Sequence, residues 1–344
     1  MYSDDDLDSA VQAGVMPPAT ANAFRQFVAR RHATHLVDEE NFRLVSSFND
    51  FFVVIACGLL LSALAGIFAS IAPLLIGPVM AATAWALAEF FTRKRRMALP
   101  SIMLLLAFCG SVAFSAGYLV SAFTAGPMMA KSGPLVAGSA AVAAALAAWA
   151  HWQRFQVPIT VAAGMVGLAT LALQILLAVA PHSKDYLLLL ALVLGVLTFA
   201  LALYWDMSDR ERKTHRSDVA FWLHLLAAPM IVHPIFALLG INSDSELVGL
   251  SQALTVIALY IGLGVVGLVV DRRALLVSAL IYVLWALNAL FKQFGAVSLN
   301  VALTALVIGS ALLLLSAFWH SARGLLVRQL PLELRTRLPA QEAA

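Results

Sequence analysis

Two histidines, one lysine and four side-chain amides stand inside apolar stretches of this chain, where a polar group is expensive and usually faces other protein. Gln174, His233, Gln252, Asn288, Lys292 and Asn300 fall in the outer half of their stretches, counting about 1.5 Å per helical residue. His224 falls in the inner third. Asn288 and Lys292 are four apart and share a helix face. His224 and His233 are nine apart, about 180° around a regular helix, so they make one metal site only if Pro229 breaks the helix between them. In one reading the outer residues line a polar cavity that binds a small polar solute or relays protons. His233 would then titrate near neutral pH, and Pro229 and Pro234 would supply a hinge. In the other they bond to one another between helices, at about 0.6 kcal/mol each. Neither reading implies a metal or a cofactor.

Other chemistry is excluded by pattern. Residues 262–267, GLGVVG, match the dinucleotide spacing in letters, but that spacing has meaning only between a strand and a helix of a soluble unit. Here it lies in an apolar stretch, and its glycines are expected to let another helix come close, as are the small residues of AGSAAVAAALAAWA. No H-E-x-x-H, phosphate-binding loop or G-x-S-x-G occurs, so no catalytic residues are assigned. Glu89 has Arg93 four residues later and reads as a surface pair. Without a nucleotide-binding module, any work must be driven by a gradient or by the substrate. Nothing points to nucleic acid. Cys57 and Cys109 lie in apolar runs and read as small core residues.

The elements that must hold these residues are membrane spans. The chain is 62% hydrophobic and 12% charged, with a mean hydropathy of +0.89, so lipid is the solvent for most of it. Ten apolar stretches of about 20 residues are expected at 50–70, 72–91, 99–123, 134–152, 157–180, 185–205, 219–240, 247–270, 274–294 and 298–318. The first two meet so tightly at Ala72–Pro73 that a helical hairpin is required. With that count, all lysines and arginines except Lys131, Lys184 and Lys292 fall on one side, which the positive-inside rule makes cytoplasmic for both termini. Trp149, Trp152, Trp205, Trp222 and Trp319 fall at the same ends, as interfacial rings should. Residues 204–234 are the longest charged interruption and lead into the helix that carries both histidines and both prolines.

Residues 1–48 read as a short helical, partly interfacial cytoplasmic segment, 49–320 as the transmembrane domain and 321–344 as a basic cytoplasmic tail suited to an anionic leaflet. A helix is expected from Asp4 to Ala13 with Gly14 as its stop. Phe24, Phe27 and Val28 begin a second periodic run to Val37, and Phe42, Val45 and Phe48 form a stripe. The acidic start MYSDDDLDSA has no apolar core of a signal peptide, leaving insertion to the first span. Ala72–Pro78 and Ala228–Pro234 share the pattern A-P-x-x-x-x-P at the second span of two five-span halves, a pointer to inverted repeats.

The run DLDSAVQAGVMPPATANAFRQFV, followed by many spans, resembles uncharacterised bacterial multi-pass membrane proteins of the class called domain of unknown function 2157. The resemblance implies the bacterial inner membrane and no activity. The fold expected is thus an all-α integral membrane protein, a bundle of about ten transmembrane helices. The leading functional expectation is a secondary transporter or permease-like protein for a small solute. A scaffold or sensor whose N-terminal segment binds a protein partner comes second, and an intramembrane enzyme third.

Overall fold

A computed structural model describes residues 4–24, 48–124, 133–180, 184–209, 214–238, 250–273 and 300–331, with single positions at 276, 280, 283, 284, 287, 335 and 338. Every regular element among them is helical, and they divide into two units, Met1–Arg43 and Leu44–Ala344.

In the first unit, α1 (Asp4–Gln12) stops at Gly14, whose φ of 69° only glycine adopts freely. The Val15 N–H donates to the Ala10 carbonyl at 3.0 Å and the Gly14 N–H to the Val11 carbonyl at 3.1 Å, which is the Schellman pattern. The Pro17 carbonyl then starts a helical turn by accepting from Thr20 and Ala21. The expected stripes through Phe27, Val37, Phe42 and Val45 lie outside the described residues.

The second unit holds α2 (Asn49–Ile71), a tight turn Pro73–Leu75, α3 (Ile76–Ala88) with a wide final turn Glu89–Lys94, α4 (Ala98–Phe123), α5 (Gly133–Phe155), α6 (Ile159–Val179), α7 (Lys184–Ser208), α8 (His215–Leu238), α9 (Leu250–Val270), α10 (Asn300–Ala317) and α11 (Trp319–Arg328). Among the described residues seven helices, from Asn49–Ile71 to His215–Leu238, are long and apolar enough to cross a membrane. Their ends agree with the expected spans to within about one helical turn. The break at Phe318 bends α11 by 70° from α10, and the two make an eighth span only if taken together. The apolar part of α9, Leu254–Val270, is shorter, and most of the expected span 274–294 lies outside the described residues. The chain is a multi-pass helical membrane protein.

Small residues pack the first half. A methyl added at Gly167 would lie 3.0 Å from the Ala141 carbonyl oxygen and 3.0 Å from the Ala145 nitrogen, so α6 and α5 touch backbone to backbone, as the alanine-rich stretch led us to expect. Of the seven described long helices α2 is the least buried and α8 the most deeply buried. Pro229 and Pro234 sit within it and cannot donate to the carbonyls of Leu225 and Met230. Gly195 of α7 lies directly against Met230, where a methyl would come within 2.8 Å of the carbonyl carbon.

Two expectations change and one stands. A methyl at Gly262 would meet nothing within 4 Å, so no described helix uses that glycine for close approach. The two A-P-x-x-x-x-P runs keep the placement read from the sequence, the first opening its span at a break between helices and the second within a continuous helix. Trp319 is 2% exposed, a core ring, because the bend at Phe318 turns it inward.

Candidate functional site

The bend, the end of α9, the last turn of α7 and the first half of α8 meet around a buried ionic network. Asp206 lies two residues before the end of α7, and its side chain is 3% exposed. Arg272, just past α9, grips it from two sides. Its Nε donates to Oδ2 at 3.2 Å and its Nη2 to Oδ1, and Nη2 also donates to the Ser217 carbonyl at 3.1 Å. His224 Nε2 completes the set at 2.8 Å from Oδ2. An ionised carboxylate only accepts, so Nε2 carries the proton. The Phe199 ring stands edge-on to the imidazole with centroids 5.1 Å apart.

A second carboxylate directly precedes Arg272 in sequence. Asp271 ends α9 in the left-handed region, φ 63°, and the Arg272 N–H closes the turn on the Gly267 carbonyl at 2.8 Å. A non-glycine residue there costs about 1–2 kcal/mol. The geometry aims its carboxylate at α11, where Trp319 Nε1 donates to Oδ1 at 2.7 Å and Arg323 Nε lies 3.7 Å away. Arg273 covers the Trp319 ring, 5.1 Å from its centre. Arg323, which composition assigned to a basic tail facing lipid headgroups, is 3% exposed and belongs to this network.

Taking two carboxylates and two guanidiniums out of water costs several kcal/mol per ion. Pairing offsets that cost. Among the described residues no three His, Cys, Asp or Glu groups stand close enough to hold a metal ion. What the arrangement does is clasp the ends of α7, α8, α9 and α11.

The residues singled out in the sequence lie elsewhere. His233 is exposed on the face of α8 opposite the buried His224, as nine-residue spacing requires. Gln174 is half-buried on α6, its Cβ 3.8 Å from a methyl built at Gly138 of α5. Asn288, Lys292 and the side chains of Gln252 and Asn300 lie outside the described residues. Pro229 is exposed and Pro234 buried. Glu89 does pair with Arg93 at 3.3 Å, but Arg154 of α5 holds it more closely, at 2.7 and 3.1 Å. His151, also fully buried, meets Thr160 at 3.3 Å and packs on Trp85, Phe108 and Phe155.

Sequence reasoning missed Arg272 and Arg323 because it counted them as loop charges, and it gave Asp206 and Asp271 no role at all. One signal was present: Asp271, Arg272 and Arg273 follow an apolar run directly, and Trp205–Asp206 ends another. No protein-family model, curated protein or solved structure matches the chain.

Proposed function

We propose that this protein is a gradient-driven carrier for a small solute in the bacterial inner membrane, with about ten spans and both termini cytoplasmic. The observation that carries the reading is the buried Asp206–Arg272–His224 clasp, joined to Asp271–Arg323. Such a set is costly compared with an apolar core, and its value lies in having two states, closed and open. It closes the arginine-rich end of α8, whose interior prolines make that helix the element able to bend. One contact supports the count of ten. Trp319 reaches Asp271 at the end of α9, which agrees with α10 running back toward that end and with the ninth span expected at 274–294. Leu280, Val283 and Leu287 pack with Val256 and Ile308 in that interval.

The scaffold reading has one observation in its favour: residues up to Arg43 form their own unit. A labelling experiment separates the two. Asp206→Asn with Arg272→Gln removes the charges together, in a background lacking Cys57 and Cys109 and with His233→Cys as reporter. In a carrier, opening the clasp shifts the population inward and slows labelling of the reporter from outside by an impermeant thiol reagent. An unchanged rate in folded protein would overturn the carrier and favour the scaffold.

A further inference from the structure

The turn that ends α3 carries charge that its own surroundings do not neutralise. Between Asp50 and Asp185 the sequence has one acidic side chain, Glu89, while Arg93, Lys94, Arg95 and Arg96 follow it and Arg154 reaches it from α5. Glu89 is already occupied: Arg93 lies at 3.3 Å, and Arg154 takes both oxygens, at 2.7 and 3.1 Å. Lys94, Arg95 and Arg96 are exposed, and no carboxylate among the described residues answers them. Backbone and ring contacts fix where these three stand. The helix widens over Glu89–Lys94, and the Arg95 N–H donates to the Phe90 carbonyl at 3.0 Å, a bond one residue longer than in an α-helix. Arg96 then takes a left-handed φ of 52°, which favours glycine, and the Met97 N–H closes the turn on the Phe91 carbonyl at 3.1 Å. Strain of that kind gathers at ligand clamps. The Arg95 guanidinium lies over the exposed Phe90 ring, 5.6 Å from its centre. Stacking covers the guanidinium's face and leaves its in-plane N–H groups to bond.

We propose that this turn and the adjoining end of α5 bind an anionic phospholipid, with Lys94, Arg95 and Arg96 on its phosphate oxygens and Phe90 against its acyl chain. Position supplies the first argument. The turn closes a membrane-length helix, Pro73–Lys94, so an exposed phenyl ring and three unanswered cations sit where acyl chains give way to headgroups. Trp149 of α5 is exposed a little over one turn before Arg154, as an interfacial ring should be. Trp85 and Phe155, with ring centres 5.0 Å apart, join α3 to α5 and make the two sides of the patch one surface. Charge supplies the second argument. A zwitterionic headgroup brings its own cation and leaves the excess unanswered, whereas an anionic one supplies the missing charge. The planar guanidinium fork also matches phosphate oxygens. A soluble acidic partner would meet the charge but would gain nothing from the exposed ring. The proposal is independent of the carrier reading, since a scaffold could hold the same lipid.

The test uses the full chain in phosphatidylcholine nanodiscs, without Cys57 and Cys109, with Gln153→Cys carrying a bimane fluorophore beside Arg154. The discs receive a small, fixed share of phosphatidylglycerol or of phosphatidylcholine bearing a quenching nitroxide high on the acyl chain. The site predicts several-fold stronger quenching by the anionic lipid. Lys94→Gln with Arg95→Gln and Arg96→Gln removes that preference. All three side chains are exposed and the Glu89–Arg154 pair is untouched, so the variant keeps its fold. Removing as much charge through Arg210→Gln, Arg212→Gln and Lys213→Gln leaves the preference in place. A preference that survives the first triple variant, or that the second removes equally, reports only a diffuse surface potential and would overturn the site. Loss of the preference on adding inorganic phosphate at constant ionic strength would assign the patch to a soluble anion instead. Equal quenching by the two lipids would also overturn it. If soluble polyglutamate then changes the bimane signal, and the change needs the three cations, the patch belongs to an acidic protein.

Discussion

Glu89 and Asp206 are both carboxylates near the ends of membrane-length helices, and each is gripped by an arginine from another helix. Their surroundings differ. Glu89 is 30% exposed and Arg154 43%, so water already solvates both partners and holds much of what the bond could contribute. Asp206 and Arg272 are 3% and 2% exposed, and neither has water to fall back on. Geometry is similar in the two pairs, and burial decides what each is worth. The Glu89 pair aligns two helix ends. The Asp206 clasp makes the position of three segments depend on one carboxylate.

The largest expected effect is therefore on the buried side. Arg272→Ala strands Asp206 and should lower unfolding stability by about 3–5 kcal/mol, measured by denaturation in mixed micelles. Gly195→Ala should cost about 1–3 kcal/mol, because the new methyl meets the Met230 backbone rather than a side chain that can move aside. Trp319→Phe keeps the ring and removes the donor to Asp271, at a cost of about 1–2 kcal/mol in the same assay. Arg154→Gln should leave the midpoint within experimental scatter. A large loss there would erase the contrast. The contrast sharpens with an apolar triple variant, Asp206→Leu, Arg272→Met and His224→Phe. If burial cost governs, that variant folds at least as stably as the parent, while labelling at position 233 no longer matches the parent's.

Much of the fold was legible because lipid imposes it. An apolar run of about 20 residues has few alternatives to a helix, and Gly14, Pro73 and the alanines of α5 act through local geometry that spacing reveals. The clasp was hidden for a different reason. Asp206 and Arg272 are 66 residues apart, and no helical period links them. Counting arginines by side put Arg272 and Arg323 at one common end, where the structure brings them together, yet treated them as solvated. Whether a charge at a helix end turns toward water or inward depends on a backbone detail, here the left-handed Asp271 and the break at Phe318. His224 was legible as inner and opposite His233, but its partner was not.

The separation between Asp206 and Arg272 also bears on how the protein is made. Asp206 leaves the ribosome 66 residues ahead of its guanidinium. At about 5–20 residues per second that is a wait of roughly 3–13 s, during which the membrane must hold a carboxylate whose neutralising partner does not yet exist. Asp271 waits in turn for Trp319 and Arg323. Until Arg272 emerges, His224, only 18 residues behind Asp206, is the partner that carboxylate has.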